Sequence, residues 1–109
     1  MSKYFNKKVV IDGHKFDSIA ESRRYKELKL LEKAGKIKNL ELQPKFLLQD
    51  KFKKDGKTFR KIEYVADFGY IEQEKKVIED VKGKETEVFK IKRKMFEYRY
   101  PELIFKIIK

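Results

Sequence analysis

Cysteine is absent from the 109-residue chain, which removes disulfides, thiolate zinc sites and cysteine nucleophiles. Histidine occurs once, as His14, so a Ser-His-Asp triad would have to use it, and its place after Gly13 points to a turn or surface role instead. No apolar run approaches the roughly 18 residues that a membrane helix needs, and the opening "MSKYFNKKVV" lacks the apolar segment of a secretory leader. A cytoplasmic protein with no membrane partner is expected. Acidic side chains are in deficit, 18 Asp and Glu against 29 Lys and Arg, for a net charge of +11. Each phosphate neutralised by Lys or Arg releases counterions whatever the base sequence, so this excess suggests a polyanionic partner. The ordinary alternative is a solvated lysine-rich surface.

What is present is enough for one core. The chain is 40% apolar and 14% aromatic, with Phe and Tyr distributed along it, as in a single packed domain over residues 1–109. Asp12-Gly13 joins two short extended pieces into an N-terminal hairpin. A helix is expected over residues 18–34, with Ser18 as N-cap, Glu21 three residues later and Gly35 as the stop. A strand should begin near Lys45, after Pro44. Asp55-Gly56 marks a hairpin turn, followed by a long strand over about residues 58–71, the turn "EQEK", and a strand through "KVIEDVKG" to Gly83. These three strands should make an antiparallel meander. Val88, Ile91, Met95 and Tyr98 fall at helical spacing before Pro101, and "ELIFKIIK" reads as a returning strand. After the hairpin the order is αβββαβ, an α+β fold.

Charge inside apolar runs marks the candidate site. In a strand Asp80 and Lys82 share a face with Ile78, while Glu79 points away with Val77 and Val81. Asp67 interrupts "YVADFGY", where β propensity disfavours it by up to ~1 kcal/mol. A separation of 13 residues allows Asp67 and Asp80 to lie side by side on neighbouring antiparallel strands. Lys82 could neutralise one of them as a buried ion pair; two acids and one lysine fit a divalent cation better. Glu21 completes a capping box with Ser18, and it also continues the stripe Glu21, Tyr25, Leu28 towards the core. All candidate ligands are oxygens, which selects Mg²⁺, with Mn²⁺ able to substitute. On a basic protein such a site suggests phosphodiester hydrolysis, with Lys82 orienting the attacking water or neutralising the transition state.

Asp67 followed by Asp80-Val81-Lys82, on the αβββαβ order, resembles the PD-(D/E)XK nuclease signature, although Ala66 stands where the signature's name has Pro. "KFDSIAESRRYKEL", "LELQPKF", "YVADFGY", "EDVKG" and "FEYRYP" together resemble a small family of phage and prophage proteins long labelled as of unknown function. The resemblance implies a restriction-endonuclease-like core, a mixed central sheet flanked by helices, with the short N-terminal hairpin added. It implies a Mg²⁺-dependent endodeoxyribonuclease in which Glu21, Asp67 and Asp80 hold metal, the Val81 carbonyl adds a ligand, and Lys82 assists the water. By analogy with phage and archaeal Holliday-junction resolvases it implies a homodimer acting on branched DNA in recombination or replication, in the cytoplasm of a bacterial host, with no nucleotide cofactor. Arg23, Arg24, Lys90, Lys92, Arg93 and Lys94 lie near enough in sequence to hold phosphates. Thr86 is expected to cap its helix. The rival readings are a non-catalytic nucleic-acid-binding protein, and an exonuclease or nuclease subunit that needs a partner.

Overall fold

The computed structural model describes residues 8–109, so the first seven residues of the opening "MSKYFNKKVV", read above for a leader, lie outside the described residues. The chain is an α+β protein with more strand than helix. Strands β1 (Val9–Ile11) and β2 (His14–Phe16) form the expected hairpin. Its turn needs two successive left-handed residues, and Asp12 (φ 52°) and Gly13 (φ 79°) supply them. Helix α1 (Ile19–Lys33) starts at Ser18, whose Oγ accepts the Glu21 amide at 3.1 Å. It closes with Gly35 at φ 79°, the Gly35 amide donating to Glu32 and the Lys36 amide to Leu31, so the last carbonyls are satisfied.

Strands β3 (Lys38–Leu42) and β4 (Lys45–Gln49) follow, then the arm β5 (Phe52–Lys54) and β6 (Lys57–Phe59), then β7 (Ile62–Val65), β8 (Phe68–Glu72) and β9 (Lys75–Val81). Helix α2 (Glu87–Arg99) and strand β10 (Ile104–Ile108) complete the chain. The central sheet has the order β10-β9-β8-β3, with β10 parallel to β9 and the other pairs antiparallel. It is a mixed sheet, and β10 returns beside β9 as the sequence suggests. Among the described residues, no helix is long and apolar enough to cross a membrane.

Two expectations need correction. The long strand over residues 58–71 is broken into β6, β7 and β8, because its pairing partner changes along its length: β7 pairs with β4, and β8 with β3 and β9. Asp67 therefore sits at the break between β7 and β8, where the Gln43 amide donates to its carbonyl at 3.0 Å and its own amide donates to Glu79 O at 3.1 Å. Strand β4 begins at Lys45 as expected, and the segment before Pro44 is a further strand, β3, joined to it through Gln43 at φ 53°. Helix α2 buries Phe89 and Phe96 rather than the stripe Val88, Ile91, Met95, Tyr98. Val88, Ile91 and Tyr98 stay 64, 59 and 89% exposed, and only Met95 packs against the core. Two stripes were possible on that helix, and the one carrying two phenylalanines removes more apolar area from water.

The core lies on both sides of β9. On one face Val77 packs with Phe16, Tyr25 and Leu28 beneath α1. On the other Ile78 packs with Tyr64, Phe89 and Phe96 beneath α2.

Candidate active site

The predicted carboxyl groups come from three elements. Glu21 occupies the first turn of α1 and is 8% exposed, on the inward stripe with Tyr25 and Leu28. Asp67 stands at the β7–β8 break, and its Oδ2 accepts the Val81 amide at 2.7 Å. Asp80, 2% exposed near the end of β9, accepts a hydrogen bond on Oδ2 from the Tyr64 hydroxyl and has Lys82 Nζ 3.4 Å from Oδ1. Lys82 is held in turn with its ammonium 4.6 Å from the centre of the Phe89 ring, a contact favourable to a cation. Asp67, at the strand break, thus stands between Glu21 of α1 and Asp80 of β9.

The electrostatics follow from burial. Asp67 is pushed up from 3.8 to about 6, chiefly by desolvation, with the neighbouring Glu21 charge adding to it and the Val81 amide opposing it. Asp80 is pushed up from 3.8 to about 7, again chiefly by desolvation; Asp67 adds to the rise while Tyr64 and Lys82 oppose it. The carboxyls therefore form a chain, Glu21 beside Asp67 and Asp67 beside Asp80. Among the described residues, no group of three or more acidic or histidine side chains is placed to hold a metal ion. The donor set is nevertheless of one kind, carboxylate oxygens whose repulsion calls for a proton or a cation, and this fits a hard divalent ion such as Mg²⁺ or Mn²⁺. His14 stays outside it, exposed on the hairpin with its ring 5.8 Å from that of Tyr25. Val81 meets the site through its amide, which donates to Asp67.

Strand β9 carries a second buried carboxylate that was not among the expected site residues. Glu79 is fully buried on the α1 face of β9 and is bound bidentately by Arg24, at 2.8 Å from Nε and 2.6 Å from Nη2, with the Tyr70 hydroxyl donating at 2.5 Å. Arg24 also reaches Glu27 at 2.9 Å, and the Glu79 bond holds its guanidinium above its ordinary value. This is a correction: the Arg24 fork is spent inside the protein rather than turned to phosphate. The partners are 55 residues apart, and strand alternation alone does not reveal which cation answers Glu79.

The other expected phosphate contacts are differently placed. Arg23, Lys90 and Lys94 are exposed, whereas Lys92 and Arg93 are half-buried. Lys90 pairs with Glu87 at 3.4 Å, and Arg93 pairs with Glu97 at 3.4 Å while lying 5.2 Å over Phe105. Thr86 caps α2, its Oγ1 accepting the Phe89 amide at 3.1 Å.

A family model described as "Protein of unknown function (DUF1064)" matches residues 1–109, and the chain belongs to that family. No curated protein and no solved structure matches it.

Proposed function

We propose that this member of a family of unknown function is a Mg²⁺-dependent endodeoxyribonuclease of the PD-(D/E)XK class, acting as a dimer on branched DNA in the cell of a bacterial host. The observation that carries the reading is the chain of carboxyls from three elements, Glu21 beside Asp67 and Asp67 beside Asp80, with Lys82 at its end. The order of elements after the hairpin supports a restriction-endonuclease-like core: a helix, the strands of an antiparallel unit, a second helix, and a final strand parallel to β9.

Glu21, Asp67 and Asp80 would hold the metal, with the Val81 carbonyl as a further ligand; Mg²⁺ would lower the pKa of water and offset charge gathering on the phosphate. The reaction adds water oxygen to phosphorus and breaks the bond to one sugar oxygen, which takes up a proton from solvent. Lys82 is placed to orient the water or neutralise the phosphate, its ammonium fixed between Asp80 and Phe89. The Tyr64 hydroxyl keeps the Asp80 carboxyl in one orientation. Arg23, Lys90 and Lys94, exposed on the two helices, are suited to hold DNA backbone, with Lys92 and Arg93 less accessible.

A second reading has one specific observation in its favour. Glu79, next in sequence to Asp80 and more deeply buried, is taken up by Arg24 and Tyr70, so the acids could form ion-pair networks in a non-catalytic DNA-binding protein. End-labelled four-way junction, linear duplex and single-stranded DNA, incubated with Mg²⁺ or EDTA, separate the two. Paired nicks near the junction centre, lost in EDTA and in Asp80→Asn while binding persists, are expected. Salt-dependent binding of every substrate without cutting would refute the nuclease reading for the isolated protein.

A further inference from the structure

Strands β5 and β6 pair with each other and, among the described residues, pack closely with no other strand or helix. Every residue from 49 to 61 is exposed. The radius of gyration is 16.1 Å, against about 13 Å for a compact chain of this length, as a projecting arm requires. A two-stranded hairpin is marginal in water by itself, and this one carries two phenylalanines into solvent. Phe52 and Phe59 are 44 and 38% exposed, directly opposite in register, with their rings stacked at 4.8 Å and 10°. Lys54 and Lys57 are the cross-strand pair two residues on, so they share that face, and Lys57 Nζ lies 5.3 Å from the centre of the Phe59 ring. Residues 50–61 hold six cations against two acids.

We infer that this arm binds an unpaired nucleic-acid strand, a base continuing the Phe52–Phe59 stack while Lys54 and Lys57 meet the flanking phosphates. Aromatic faces accept any base, and lysines beside them accept the backbone, so the combination suits single-stranded segments without sequence preference. A duplex keeps its base faces covered and offers the arm only its phosphates. A second copy of the chain is the poorer occupant, since two arms of this charge repel. Asp67 is eight residues from Phe59 along the chain, at most about 28 Å of extended backbone, so a strand on the arm lies within a few nucleotides of the carboxyls. The inference rests on nucleic acid being the partner, as in the nuclease reading, but not on catalysis.

Anisotropy titrations of a labelled 12-nucleotide single strand and of its duplex, in EDTA at several salt concentrations, test it. The variants are Phe52→Ala with Phe59→Ala, Phe52→Tyr with Phe59→Tyr, and Lys54→Gln with Lys57→Gln. The alanine pair should weaken single-strand binding about five- to hundredfold and duplex binding less than twofold, with the tyrosine pair restoring it. The glutamine pair should make the single-strand salt slope shallower by about 1.4. The inference is overturned if the alanine pair binds the single strand as wild type does, if it loses strand and duplex equally, or if sedimentation shows that it turns a dimer into monomers. Cleavage with Mg²⁺, scored separately, keeps the readings apart: cutting with unaltered strand binding sinks the arm alone, and arm-dependent binding without cutting sinks the nuclease alone.

Discussion

Replacing Arg24 by Ala removes both bonds to Glu79, at 2.6 and 2.8 Å, and leaves a fully buried carboxylate with the Tyr70 hydroxyl as its one remaining donor among the described residues. Breaking a buried pair from one side costs about 3–5 kcal/mol, because the abandoned charge keeps its desolvation penalty. For a domain near 100 residues each kcal/mol shifts Tm by about 4 °C, so a fall on the order of 12–20 °C is expected by circular dichroism or calorimetry. Arg23, adjacent and exposed, provides the control: Arg23→Ala should stay within about 0.5 kcal/mol of wild type. Arg24→Ala combined with Glu79→Leu should regain much of the loss, since no charge is then stranded. The reasoning fails if Arg24→Ala melts with wild type while its DNA affinity drops and its salt slope becomes shallower. Arg24 would then be a phosphate contact and the ion pair incidental.

Two further outcomes follow from the carboxyl chain. Asp67 and Asp80 hold their protons to about 6 and 7, whereas in the unfolded chain both ionise near 3.8, so the folded state binds more protons between about pH 4 and 7 and its stability falls as pH rises through that window. Thermal melts of metal-free protein should show this fall, and Mg²⁺ or Mn²⁺ should raise Tm more at pH 8 than at pH 5, an effect absent from Asp80→Asn; a pH-independent, metal-indifferent Tm would refute it. Tyr64→Phe removes a donor that favours the ionised Asp80, so the pH at which stability is lost should move upward, with a cost of about 1–3 kcal/mol; an unchanged pH profile would show that the hydroxyl does not govern Asp80.

The parts legible in the sequence are those decided by local chemistry. Asp12-Gly13 and Asp55-Gly56 carry positive φ at both positions, Ser18 and Thr86 cap their helices, and Glu21, Tyr25 and Leu28 do share the buried face of α1. Strand alternation likewise sorts Ile78 and Asp80 from Val77 and Glu79. What escaped depends on partners distant in the chain. The break at Asp67 arises because β7 and β8 belong to different ladders. The buried face of α2 was decided by Phe105, Tyr64 and Phe46 meeting Phe89 and Phe96 rather than by periodicity, which allowed two answers. Arg24 looked like its neighbour Arg23 until Glu79 was placed beneath it.

The two buried acids of β9 are consecutive and face opposite ways, and each has its own tyrosine and cation: Glu79 with Tyr70 and Arg24, Asp80 with Tyr64 and Lys82. Consider β9 docked one residue out of step during folding. Every side chain would change face, so Glu79 would meet the Phe96 side and Asp80 the Leu28 side, each displaced about 3.3 Å along the strand from the groups that answer it. A strand of plain Val and Ile would tolerate such an error at little cost. This one would strand two charges in apolar surroundings at once, so the pair of carboxylates proofreads the alignment of a central strand.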